Sequence, residues 1–293
     1  MDLHTFNFAV KVNLVEKYDC VITKRKKMFL FDFKELVSYR DLIWLFVRRN
    51  FVSRYKQTIL GPAWAVIQPL LTTVVLTVIF GNIAGLSPNG VPAFIFYFAG
   101  TLVWSYFSQC LTETSSTFTS NAHLFGKVYF PRLVMPISTV LSNLISFFIQ
   151  FVMFAGFLIY YCATGTCVSP NLWMLFTPVL LLHMALLGMG CGIIISALTT
   201  KYRDLAMIVG FGVQLWMYAT PIAYDYTRII PKYLGIYMLN PMSPIVMFFR
   251  YAFLGTGYIN WQYYLLSVAI TLILLFFGVA LFNRVEKNFM DTV

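Results

Sequence analysis

Four acids stand where they could do chemistry at a membrane surface, Glu113, Asp204, Asp225 and Glu286, and they are scattered singly along the chain. Paired carboxylates, a zinc-type cluster and a Ser/His/Asp set in a recognisable motif are all missing, so an enzyme reading has little to stand on. Gly126-Lys127 is followed by Val128 and lacks an upstream Gly, so the chain does not carry the phosphate-cradling loop of a Walker-type nucleotide site. Inside the apolar runs the titratable candidates are His183, cysteines and tyrosines. Ion-coupled transporters usually hold ionisable groups at membrane depth despite their cost there, and His183 reads better as a packed, hydrogen-bonded histidine than as a proton relay. A voltage sensor would need Arg repeats that this chain lacks.

The positive chemical feature is aromatic, at 18% of residues. Phe94, Phe96, Tyr97, Phe98, Trp104, Tyr106 and Phe107 crowd one apolar run, and Trp216, Tyr218 and Tyr224 mark another. Tyr and Trp at the ends of such runs belong to the interfacial belt, but Trp104 and Trp216 fall nearer the middle. Flat rings there could stack on the apolar C–H faces of sugar rings while letting a chain slide.

The elements that must position these side chains are membrane-spanning helices. The sequence is 59% hydrophobic and 11% charged, against about a quarter charged in ordinary soluble chains. Its apolar runs of about twenty residues match helices crossing about 30 Å of hydrocarbon. Six spans are expected at about 62–84, 93–112, 136–163, 172–198, 205–224 and 263–283, free of Asp, Glu, Lys and Arg. Lys and Arg fill the leading segment and recur at Lys127, Arg132, Lys201, Arg203, Arg284 and Lys287, while the connections near 85–92 and 164–171 have none. The positive-inside rule then places both termini in the cytoplasm. The formal charge of +10 reads as a topology and lipid-head-group signal, with no nucleic-acid partner.

Three segments stand apart from the spans. The first, about 1–32, is a polar extension without the early apolar core of a secretory signal peptide. About 33–58 reads as an amphipathic helix opened by Asp32-Phe33-Lys34-Glu35. Its apolar face would hold Phe33, Val37, Trp44, Val47, Phe51 and Tyr55, with Lys34, Arg40, Arg48 and Arg49 turned to head groups. The remaining 59–293 forms the transmembrane domain. Within it, the long connection 225–262 holds two apolar stretches, about 228–239 and 244–254, separated by Asn240-Pro241 and too short to span. They read as two short helices re-entering the outer half of the membrane, a candidate gate, with an interfacial loop as the alternative. Cys20, Cys110, Cys162, Cys167 and Cys191 have no metal-ligand spacing. Cys162 and Cys167 lie near one helix end, where a disulfide and two free thiols both fit.

The run Arg54-Tyr55-Lys56-Gln57-Thr58-Ile59-Leu60-Gly61-Pro62-Ala63-Trp64, with Phe130-Pro131-Arg132, Tyr202-Arg203-Asp204, Thr220-Pro221 through Tyr224 and Asn240-Pro241 through Arg250, resembles the permease subunit of polysaccharide-exporting ABC transporters of the Wzm/TagG type. The resemblance covers about 33–290. It implies an all-α ABC-2 (type V exporter) membrane fold with six transmembrane helices, an N-terminal interface helix and two re-entrant outer helices. It implies a homodimer with two copies of a separate ATPase, which would bind the ATP and Mg; this chain would bind no cofactor or metal and carry out no catalysis. The implied ATPase-coupling segment is about 114–129, with Asn121, Leu124, Phe125, Lys127 and Tyr129. Interface-helix residues would be Trp44, Arg48, Arg54, Tyr55 and Lys56. Aromatic lining of the channel would come from Tyr97, Trp104, Tyr106, Phe107, Trp216, Tyr218 and Tyr224. The outer gate would be Arg228, Lys232, Asn240, Pro241 and Arg250. The implied cargo is a lipid-linked polysaccharide crossing a bacterial inner membrane, O-antigen foremost, with teichoic acid or capsule as alternatives. An ion-coupled glycan-lipid flippase and a membrane-embedded glycan-processing enzyme are the rivals of another class.

Overall fold

The computed structural model describes residues 33–56, 58–86, 90–125, 127, 128, 130–166, 168–200, 202 and 204–289. The chain divides into two units, Met1–Phe31 and Asp32–Val293, and the described residues lie in the second. The polar extension of 1–32, the cap expected at Asp32, and Tyr129 and Cys167 fall outside the described residues; Cys162 carries a free thiol.

The described elements are α1 (Phe33–Ser38), α2 (Arg40–Tyr55), α3 (Trp64–Leu76), α4 (Ala93–Ser115), α5 (Thr117–Ser120), α6 (Ala122–Phe125), α7 (Val134–Ala163), α8 (Thr177–Thr199), α9 (Leu205–Tyr218), α10 (Leu234–Tyr237), α11 (Met242–Leu254) and α12 (Trp261–Phe289). A π-helical turn, Thr77–Ile83, extends α3, and a 3₁₀ turn, Leu172–Phe176, leads into α8. Five segments are long and apolar enough to cross a membrane: Gly61–Ile83, Ala93–Ser115, Val134–Ala163, Leu172–Thr199 and Trp261–Arg284. They fall on the expected first, second, third, fourth and sixth spans.

The centre is α4, which packs against α3, α7, α8, α9 and α11. In lipid there is little hydrophobic drive between helices, so close packing and hydrogen bonds must hold them together. Glycine provides the approach: a Cβ at Gly188 would fall 2.8 Å from Cys110 Cβ, and one at Gly192 only 2.6 Å from Thr114 Cβ, both on α4. The other side of α8 uses Gly190 against α12, where a Cβ at Gly278 would fall 2.9 Å from the Gly190 carbonyl oxygen. Aromatic edges fill the α4–α7 seam, with ring centroids 5.7 Å apart for Phe98–Phe154 and 5.5 Å for Tyr106–Phe147.

Three expectations are corrected. The fifth span ends early: α9 has 14 residues and gives way to turns at Ala219, because Pro221 lacks an amide proton and disfavours helix at Thr220. The stretch at 228–239 is a series of short turns, Tyr226–Arg228, Pro231–Tyr233 and α10, rather than one helix. The second stretch is a helix, as expected: α11, closed by Gly255 at φ +71°. It is sunk among α4, α8, α12 and the Leu172–Phe176 turn, with residues 241–250 all buried. Finally, charge does enter one membrane-length helix: α4 runs on past the expected 93–112 to Ser115 and so holds Glu113.

The interface helix is broken at Tyr39 (φ −93°, ψ 17°). Beyond the break, α2 turns Phe46 and Val47 inward to pack on α7. Trp44, expected on the same apolar face as Val47, is 69% exposed, as Leu45 and Val52 also are. The helix thus carries two apolar strips, one for protein and one outward, where the periodicity had suggested one.

Candidate functional site

One face of α4 is polar from Thr101 to Thr112. Thr101, Ser105, Ser108 and Thr112 recur at steps of three and four, which places them on a single helical stripe. They face two adjoining clefts. The larger, about 500 Å³, lies between α4, α3, α7 and the end of α2, and takes Gln68, Thr72, Gln150 and Trp64 into its wall. The smaller, about 340 Å³, lies between α4 and α9 and adds Gln214. Trp104, Ser108, Gln109, Glu113 and Met217 border both.

The groove exists because α3 and α9 are only partly docked. Pro69 interrupts the backbone ladder of α3, and Thr73 on the packed face bonds Thr101 of α4 at 2.8 Å. Gln68 and Thr72 are left facing outward. On α9, Val209, Val213, Trp216 and Met217 form the one strip in contact with the core. Ser105 donates to Gln150 Oε1 at 2.7 Å, tying α4 to α7 at the back of the larger cleft.

At the Ser115 end the groove is floored by an ion pair. Arg54, from the end of α2, donates to Glu113, to Asn143 Oδ1 at 2.9 Å and to Ser146 Oγ at 3.4 Å. Tyr55 reaches the same Ser146 hydroxyl at 3.2 Å. A charge taken from water stays at such a place only with a counter-ion and hydrogen bonds, and this node supplies both. Arg48 and Lys56, also expected on the interface helix, are exposed.

The aromatic candidates divide. Tyr97, Tyr106 and Phe107 are interior, packed among helices. Trp104 borders the groove and meets Trp216 edge-on, with centroids 6.4 Å apart. Tyr218 is half-exposed on α9. Tyr224 bonds the Tyr237 hydroxyl at 2.5 Å.

Beyond the end of α9, Asn240 joins three segments. Its amide donates to the Ala219 carbonyl (3.0 Å) and the Thr220 hydroxyl (2.9 Å), while its Oδ1 accepts from Trp216 Nε1 (2.9 Å) and the Met242 amide (3.1 Å). Pro241 is buried, and its carbonyl accepts from Ser267 on α12 at 2.6 Å. Arg250 is 3% exposed. Its guanidinium donates to the Pro221 carbonyl and, at 2.8 Å, to the Ile222 carbonyl, and lies 3.6 Å from the Phe96 ring centroid. Arg228 and Lys232 are exposed in the turns, with Arg228 donating to the Gly85 carbonyl at 3.3 Å.

At the opposite end, α5 and α6 occupy the expected coupling segment. Phe125 is 4% exposed, held in a chain of rings: Phe118 stacks on Phe282 at 4.4 Å, and Phe125 meets Phe118 at 6.0 Å and Phe130 at 5.7 Å. Leu124 is half-buried, while Lys127 and Val128 are exposed. Asn121 accepts from Arg49 of α2 at 3.3 Å, which links this segment to the interface helix.

Sequence reasoning singled out Trp104 and Arg54 but not Gln68, Ser105, Ser108, Gln109, Gln150 or Gln214. The signal was present as a three-four spacing of small polar residues within an otherwise apolar run.

Residues 41–254 match the family described as ABC-2 type transporter. The chain is 28% identical to the O-antigen export system permease protein RfbA of Klebsiella pneumoniae, over 86% of this chain and 94% of that protein. It is 27% identical to the O-antigen export system permease protein RfbA of Myxococcus xanthus, over 89% and 98%. It is also 22% identical to the capsule polysaccharide export inner-membrane protein CtrC of Neisseria meningitidis, over 87% and 95%.

Proposed function

The chain belongs to the ABC-2 type transporter family, and on that premise we propose that it is the membrane subunit of an ATP-driven exporter moving a lipid-linked polysaccharide, O-antigen foremost, across a bacterial inner membrane. Six crossings with both termini cytoplasmic follow if α9, lengthened by its turns, makes the fifth. The chain acts as a homodimer with two copies of a separate ATPase, which holds the ATP and Mg and docks at the α5–α6 segment through Leu124 and Lys127. The permease itself contributes a path and no catalysis.

The observation that carries this reading is the groove along α4. A wall of hydroxyls, amides and indoles at membrane depth suits a polyhydroxylated chain: each sugar hydroxyl both donates and accepts, as do Gln, Ser and Thr. Indole faces stack on sugar C–H groups without fixing register. Coupling reaches the groove through α2, whose Arg49 touches Asn121 and whose Arg54 closes the floor on Glu113.

Replacing Ser105→Val together with Gln109→Leu is expected to cut surface polysaccharide about tenfold, corresponding to about 1.4 kcal/mol of lost contact, with the protein still at its normal level in the membrane. Normal export by that variant would sink the groove as the path. Purification of the native complex should bring down a Walker-A polypeptide in equal amount.

A further inference from the structure

Resting on the export reading above, we infer that the groove selects uncharged glycans and disfavours acidic ones. Among the described residues that border the two clefts, Arg54 and Glu113 are the charged ones, and they are paired with each other. Two further N–H groups of Arg54 reach Asn143 and Ser146. The pair therefore offers no surplus positive charge to a passing carboxylate.

The next cation at membrane depth is withdrawn. Arg250 is buried, engaged by two backbone carbonyls and the face of Phe96. Arg228 and Lys232 lie in the exposed turns past the end of α9, outside both clefts. A neutral sugar trades hydrogen bonds with water for hydrogen bonds with Gln and Ser at little loss. A uronic carboxylate or phosphodiester leaves water for a wall that returns neither charge nor counter-ion, at a cost repeated with every acidic unit. A path suited to polyanions would instead present Lys or Arg along its length.

The test uses cells making the full chain with the ATPase that co-purifies with it. They are supplied with one of two lipid-linked polymers of equal length: a neutral hexose repeat, or the same repeat with one hexose per unit replaced by its uronic acid. The readout is the ratio of surface to retained polymer. The neutral polymer should be exported at least about tenfold better, and Gln109→Lys should narrow that ratio by raising export of the acidic one. Equal export of both polymers by the unmodified chain overturns the selectivity and leaves the export reading standing. A ratio unmoved by Gln109→Lys, at normal protein level, removes the groove as its origin. Retention of both polymers overturns the export reading itself, and this inference with it.

Discussion

Arg250 is the residue on which sequence position and physical environment diverge most. In the chain it sits in a long connection, on a stretch expected to re-enter the membrane as part of an outer gate. In the fold it is interior, clamping α11 to the turn at Pro221–Ile222 and to Phe96 of α4. Gly100 makes room for it, since a Cβ there would fall 2.6 Å from the guanidinium. Removing a buried charge's partners costs about 3–5 kcal/mol, and removing the charge itself leaves the two carbonyls without their donor. Arg250→Ala should therefore lower the thermal unfolding midpoint in detergent by many degrees. Arg250→Lys should recover little of it, because a single ammonium lacks the planar fork that reaches two carbonyls and stacks on a ring. Full stability of the Lys variant would show that charge alone suffices. Asn240 is similar: its place beside Pro241 suggested a turn, while its four hydrogen-bond contacts to three segments came only with the fold.

At the scale of elements, the apolar runs were legible because a helix in hydrocarbon must satisfy its own backbone and needs about twenty residues to do so. Five of them fall on the membrane-length segments found. What periodicity could not give is which face of each helix meets protein. On α2 it put Val47, which is buried, on one face with Trp44, which is exposed; both are apolar, and only the neighbour distinguishes them. On α8 the glycines decide the faces, with Gly188 and Gly192 toward α4 and Gly190 toward α12. Gly192→Leu should thus push α8 off α4 and destabilise the protein by about 1–3 kcal/mol, read as a lower unfolding midpoint. Gly156→Leu, at a position open around its would-be Cβ, serves as the control and should be nearly neutral.

At the scale of the whole molecule, the proposal of six crossings makes the connection after α6 and the turn before α8 lie on opposite sides. Val128 is 59% and Leu172 87% exposed, so single cysteines there are accessible to a reagent. With the native cysteines replaced, a membrane-impermeant maleimide should label Leu172→Cys in intact spheroplasts and Val128→Cys only in inverted vesicles. Labelling of both from one side would contradict the crossing count between them.

The sequence by itself determined the solvent. Its 59% hydrophobic content, its apolar run lengths and its placement of Lys and Arg are one-dimensional quantities, and insertion into lipid reads one-dimensional quantities. It also carried the motif set that resembles polysaccharide-exporting permeases. The tertiary structure decided where polar surface could survive at depth. The small polar stripe of α4 becomes a groove because α3 packs by one strip alone and α9 buries no residue beside it. The aromatic crowding of α4 became mostly packing because α7, α8 and α11 cover those faces. A side chain's role as wall, filler or clamp depends on its neighbours across helices, and neighbours across helices are long-range contacts that spacing along one chain does not encode.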